Sequence, residues 1–101
     1  MCTVFTGVDQ NGKTKIYFIT QGDLKHIREH PDALQSLSDQ ELLALIQKLL
    51  QKEPDEAQID KKRQIIDYYY DRVEIDGKYY TVIIRMSSST PGRIISAYEE
   101  Y

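Results

Sequence analysis

His26 and His30 stand four residues apart in the run His26-Ile27-Arg28-Glu29-His30. On a helix that spacing puts both imidazoles on one face, and histidine is the side chain suited to exchanging protons near neutrality. Such a pair can also ligate a metal. The sequence offers no third ligand beside it, however, and one Cys with two His does not make a zinc set of the common kind. A second group lies near the other end of the chain. Ser96 and Tyr98 are two apart in a strand-like run, so their hydroxyls project to the same side. With Arg85 on that side, the set suits a phosphodiester: the cation and hydroxyls hold the phosphate while a helix histidine moves the proton. The plainer alternatives are two solvent-facing histidines at a helix end and an ordinary polar sheet face. Other chemistries lack their residues. There is no glycine-rich phosphate loop, no Gly-x-Ser-x-Gly elbow and no spacing that singles out a carboxylate pair. Neither a cofactor nor a metal is expected.

The elements that must position these groups centre on residues 65–98. This stretch is rich in Tyr, Ile and Val, which suit a pleated, half-buried surface. Asp76-Gly77 predicts a tight turn, because both residues tolerate positive φ, and residues 87–92 predict a loop through their Ser, Thr, Pro and Gly. The result is a three-stranded antiparallel meander. A two-residue turn pairs Ile75 with Lys78, Val73 with Tyr80, Asp71 with Val82 and Tyr69 with Ile84. One face then carries Val73, Ile75, Tyr80, Val82, Ile84 and Met86 toward the core. The other carries Tyr68, Tyr70, Arg72, Glu74, Tyr79, Thr81, Ile83 and Arg85. With Ile95 and Ala97 inward, Ser96 and Tyr98 share the outer face with Arg85, a result that depends on register.

Ahead of the meander, residues 4–8 and 15–20 predict a hairpin around Asn11-Gly12. Asp23 is placed to cap a short helix over residues 24–30, and Pro31 to end it. Ser38 and Glu41 form a capping box for a longer helix. Its Leu42, Leu43, Leu45, Ile46, Leu49 and Leu50 make an apolar stripe fit to cover the sheet before Pro54 stops it. Residues 55–63 are polar and predict a solvated connector, in which Lys61-Lys62-Arg63 alone is too short for a nucleic-acid patch. The expected fold is α+β: hairpin, short helix, longer amphipathic helix, then the meander, in a single domain spanning residues 1–101.

Composition narrows the function classes. Of the 101 residues, 41% are hydrophobic and 29% charged, a balance ordinary for a soluble protein, and no apolar run spans a membrane. The start, Met1-Cys2-Thr3-Val4, lacks the basic-then-apolar pattern of a secretory leader. Cys2 is the single cysteine, so no internal disulfide can form and a reducing, cytoplasmic setting is expected. A net charge of −3 and a pI near 5.3 argue against a broad nucleic-acid-binding surface. No membrane or DNA partner is expected.

A short helix bearing His-Ile-x-x-His-Pro, a longer helix, then a Tyr-rich meander ending in Gly92-Arg93-Ile94-Ile95-Ser96-Ala97-Tyr98 resembles the barnase/EndoU/colicin/RelE-like nuclease superfamily. The likeness is closest to the phage- and toxin-associated branches, many of whose members end in "G-x-(I/V)-x-(S/T)-A-Y". It covers roughly residues 23–98 and leaves the N-terminal hairpin outside. The resemblance implies metal-independent RNA cleavage by 2′-hydroxyl attack. His26 or His30 would be base or acid, Arg85 would stabilise the phosphorane, and Ser96 and Tyr98 would position it. It also implies RNA as partner, with an antitoxin- or immunity-type protein where the role is a toxin's. The rival reading is a non-catalytic α+β protein-binding module, or an acidic inhibitor, using the same Tyr–Arg face.

Overall fold

A computed structural model of the chain describes residues 2–30 and 33–100. The Asp9 carboxylate closes the first turn by accepting the N–H groups of Asn11 (2.8 Å) and Lys13 (3.0 Å). This joins β1 (Cys2–Val8) to β2 (Thr14–Thr20) as the expected hairpin, with Phe5 opposite Tyr17. Alternation buries Phe5, Tyr17 and Ile19, all three of which enter the main core. The hairpin is therefore part of the body of the protein.

Helix α1 (Gln21–Arg28) corrects the predicted bounds at both ends. Thr20, not Asp23, is its N-cap. The Thr20 hydroxyl accepts the Asp23 N–H at 3.1 Å, and the Asp23 carboxylate accepts the Thr20 N–H in return. The helix stops at Arg28, so His30 sits in the following turn, where its N–H donates to the Ile27 carbonyl. Pro31, expected to end the helix, lies outside the described residues. A 3₁₀ turn (Ala33–Ser36) leads to α2 (Asp39–Leu50), whose Ser38/Glu41 capping box is the one expected. Leu42, Ile46, Leu49 and Leu50 are buried on its inner face.

The sheet has four strands, not three, in the order β3 (Glu56–Asp60), β4 (Ile65–Ile75), β5 (Lys78–Ser87), β6 (Ile94–Glu100), all antiparallel. The extra strand lies within the segment expected to be a solvated connector. An edge strand hydrogen-bonds on one side only and needs little apolar surface, so a sequence such as Glu-Ala-Gln-Ile-Asp can take the position. The Asp76–Gly77 turn forms as expected, with φ of +51° and +81°, and it sets Ile75 opposite Lys78 and Val73 opposite Tyr80. The pairing then shifts. A bulge at Asp71–Arg72, with Arg72 at φ +56°, places Tyr70 opposite Val82, Tyr69 opposite Ile83 and Tyr68 opposite Ile84. Tyr68 and Tyr70, expected outward, are thus buried in the core, and Tyr69 turns outward. A second irregularity in β6 pairs Met86 with Ile94 and Arg85 with Ser96. Ile94 takes the core position expected for Ile95, while Ala97 is buried as expected.

Gly92 joins the two sheets. Its carbonyl accepts the Phe18 N–H at 2.8 Å beside a parallel bridge from Phe18 to Arg93. Hairpin, both helices and the inner sheet face share one apolar cluster. No helix among the described residues is long and apolar enough to cross a membrane.

Candidate active site

The corrected register lays the outer sheet face out in rows. One row runs Gln58, Asp67, Arg85, Ser96 across the four strands, and the next runs Glu56, Tyr69, Ile83, Tyr98. Arg85, Ser96 and Tyr98 therefore do share a face. Helix α1 packs against β6 at its margin.

Two polar anchors hold that helix. At its start, Asp23 receives a two-pronged bond from Arg93, just before β6, at 2.9 and 3.1 Å. Burial of Asp23 opposes its ionisation, but the bonds from Arg93 and Thr20 outweigh burial and hold its pKa below the usual carboxylate range. At its end, the Arg28 guanidinium donates to the carbonyls of Leu34 and Leu37 and to Asp39. Pinned at both ends, α1 and the turn that follows it present His26 and His30 to the sheet. Their ring centroids are 5.4 Å apart, and the His30 ring is 6.4 Å from that of Tyr98.

The sequence-selected residues meet at one cavity of about 520 Å³, lined by His26, His30, Arg85, Ser96, Tyr98 and also Arg63. Ile65 and Ile95 give it an apolar wall. His26 is exposed and His30 half-buried, and neither imidazole is committed to a hydrogen bond among the described residues. Ser96 is buried, in line with Arg85.

Arg85 is not a free cation. Asp67, directly opposite on β4, accepts Nε at 2.8 Å and Nη2 at 3.0 Å in a fork geometry. That bond raises the guanidinium pKa further, so Arg85 stays charged while its direction is fixed. Nη2 also makes a long bond to the Tyr98 hydroxyl, 3.4 Å, and the guanidinium carbon stands 5.6 Å from that ring's centroid. Burial raises the Tyr98 pKa, which keeps the phenol protonated as a donor.

Sequence reasoning missed three members of this site: Arg63, Asp67 and Asp23. Asp67 had a signal. The unbulged register would face it toward Met86 in the core, and a carboxylate buried without a partner is a costly arrangement. Arg63 has only the short Lys61-Lys62-Arg63 run as a signal, which a solvated connector explains equally well. Among the described residues, no group of three His, Cys, Asp or Glu is placed to hold a metal ion. Comparison with protein-family models, with curated proteins and with solved structures found no match to this chain.

Proposed function

We propose that this protein cleaves RNA without a metal ion, by attack of a ribose 2′-hydroxyl on the adjacent phosphate. The observation that carries the reading is the convergence of two histidines, two arginines and two hydroxyls on one cavity. One imidazole takes the proton from the 2′-oxygen as it bonds to phosphorus. The other, protonated, gives its proton to the 5′-oxygen as that bond breaks. The products are a 2′,3′-cyclic phosphate and a 5′-hydroxyl, and each imidazole ends in the other's starting state. Two rings 5.4 Å apart suit a division of labour around a single phosphate. Arg85, held by Asp67, supplies a fixed positive end, and Arg63 is the cation free to move onto the phosphate. Ser96 and Tyr98 supply donors for the non-bridging oxygens as charge develops on them.

Total RNA incubated with the protein in EDTA tests this. Wild type is expected to cleave, and the His26→Ala/His30→Ala variant to be slower by about 10²-fold or more. Equal cleavage by both removes the histidines from the mechanism. Absence of cleavage by wild type moves the reading to a binding module whose contact surface is the same Tyr–Arg face.

A further inference from the structure

The cleft continues past the histidines. A second lobe of about 750 Å³ shares Arg63, Ile65, Arg85 and Tyr98 with the first and extends over the sheet face to the β3–β4 turn at residues 61–64. Lys61 and Lys62 join Arg63 on that turn, all three exposed. None of the three makes an ion pair among the described residues.

The charge balance in the cleft is unlike that of the chain. Of the carboxylates lining it, Asp67 is committed to Arg85 and Asp23 to Arg93. Asp60 accepts the Arg63 backbone N–H at 3.0 Å and is the one left to oppose three cations. A protein of net charge −3 thus gathers uncompensated positive charge at one end of one groove. The groove floor also carries aromatic surface. Tyr69 and Tyr98 lie in the same cross-strand row, and Tyr69 is half-buried with its hydroxyl turned to Gln58 at 3.2 Å.

Resting on the reading of the histidine lobe as a cleavage site, we propose that this second lobe binds the neighbouring nucleotides of a single-stranded RNA. Lys61 and Lys62 take the flanking phosphates, with Arg63 at the junction on the phosphate of the histidine lobe, and the Tyr69 ring stacks on an unpaired base. Single strands fit because splayed bases can reach an aromatic side chain on a sheet, whereas duplex bases are stacked on one another. The acidic remainder of the surface confines the contact to the groove, so the footprint is a few nucleotides long.

A fluorescein-labelled 2′-O-methyl hexanucleotide tests this apart from catalysis, because it has no free 2′-hydroxyl and cannot be cut. Its binding is followed by anisotropy across a salt series. Wild type is expected to bind, with log affinity falling linearly against log salt. The Lys61→Ala/Lys62→Ala variant, altered at two exposed turn positions, should bind about tenfold more weakly at low salt. Its salt slope should be shallower by about 1.4, at about 0.7 per lost phosphate contact. Tyr69→Leu should weaken binding about tenfold with the slope unchanged, since stacking releases no counterions. No binding by wild type, or equal affinity and slope in the lysine variant, overturns the proposal. Binding that follows this pattern, without cleavage of unmodified RNA, supports the subsite and counts against the cleavage reading. Cleavage with no lysine effect does the reverse.

Discussion

Tyr70 carries a hydroxyl into the core that no described group answers. The residue is fully buried and its oxygen has no hydrogen-bond partner among the described residues. Its neighbours differ: the Tyr17 hydroxyl donates to the Val8 carbonyl at 2.7 Å, and that of Tyr68 to Gln10 Oε1 at 2.5 Å. An unanswered buried polar group costs more than a satisfied one returns. Tyr70→Phe is therefore expected to raise stability by about 1 kcal/mol, and Tyr17→Phe to lower it by a similar amount. Urea unfolding with unchanged m-values measures both, and a loss of stability in Tyr70→Phe contradicts the reading. Single residues also explain why the site was only partly legible in the sequence. The His26/His30 spacing and the Ser96/Tyr98 alternation are local patterns, and local patterns survived. Asp67 joins the cleft through its pairing with Arg85 on another strand. Which partner it meets is set by a bulge four residues away, which leaves no mark in a periodicity.

At the scale of elements, what could be read was what the chain enforces within a few residues. The Ser38/Glu41 box, the Asp76–Gly77 turn and the first hairpin all formed as expected. The misreadings are places where tertiary context decided. Strand β3 exists because β4 offered an open edge, and α1 begins at Gln21 because Thr20 and Asp23 complete a reciprocal cap there. The junction between hairpin and sheet is also tertiary, and it depends on Gly92. Gly77 and Gly92 have almost equal φ, +81° and +86°. A Cβ on Gly77 would meet nothing within 4 Å, whereas one on Gly92 would lie 2.4 Å from the Ile16 carbonyl oxygen. Gly77→Ala is expected to cost about 1–2 kcal/mol, the price of a left-handed residue with a Cβ. Gly92→Ala bears that cost plus the clash with β2, and should lose at least about 1 kcal/mol more. Unfolding midpoints of the two variants side by side isolate the close approach. Equal losses would mean that hairpin and sheet do not meet at Gly92 as described.

For the whole molecule, the three core phenols define how stability responds to pH. Tyr17, Tyr68 and Tyr70 sit together in one cluster, with exposures of 0%, 1% and 0%. Burial raises the pKa of each above the ordinary tyrosine value. For an acid whose folded pKa is raised, the folded chain keeps its proton after the unfolded chain has released it. The unfolded state then binds fewer protons, so stability is flat below about pH 10 and falls as pH rises beyond it. With all three phenols protonated in the folded chain and ionised in the unfolded one, the slope is about 4 kcal/mol per pH unit. The opposite sign applies to Asp23, whose folded pKa is lowered: its contribution is present above about pH 4 and is lost as pH falls through the folded value. Between these limits a plateau is expected. Above it, tyrosinate absorbance from the core phenols should appear together with loss of far-ultraviolet circular dichroism, because these hydroxyls can ionise only when the core opens. Tyr70→Phe removes one of the three and should make the alkaline decline shallower by about 1.4 kcal/mol per pH unit. Were all the tyrosines to titrate smoothly near pH 10 while the circular dichroism stayed native, the cluster could not be the sealed core described. The bulge that turns Tyr68 and Tyr70 inward, and with them the row that sets Asp67 beside Arg85, would fall with it.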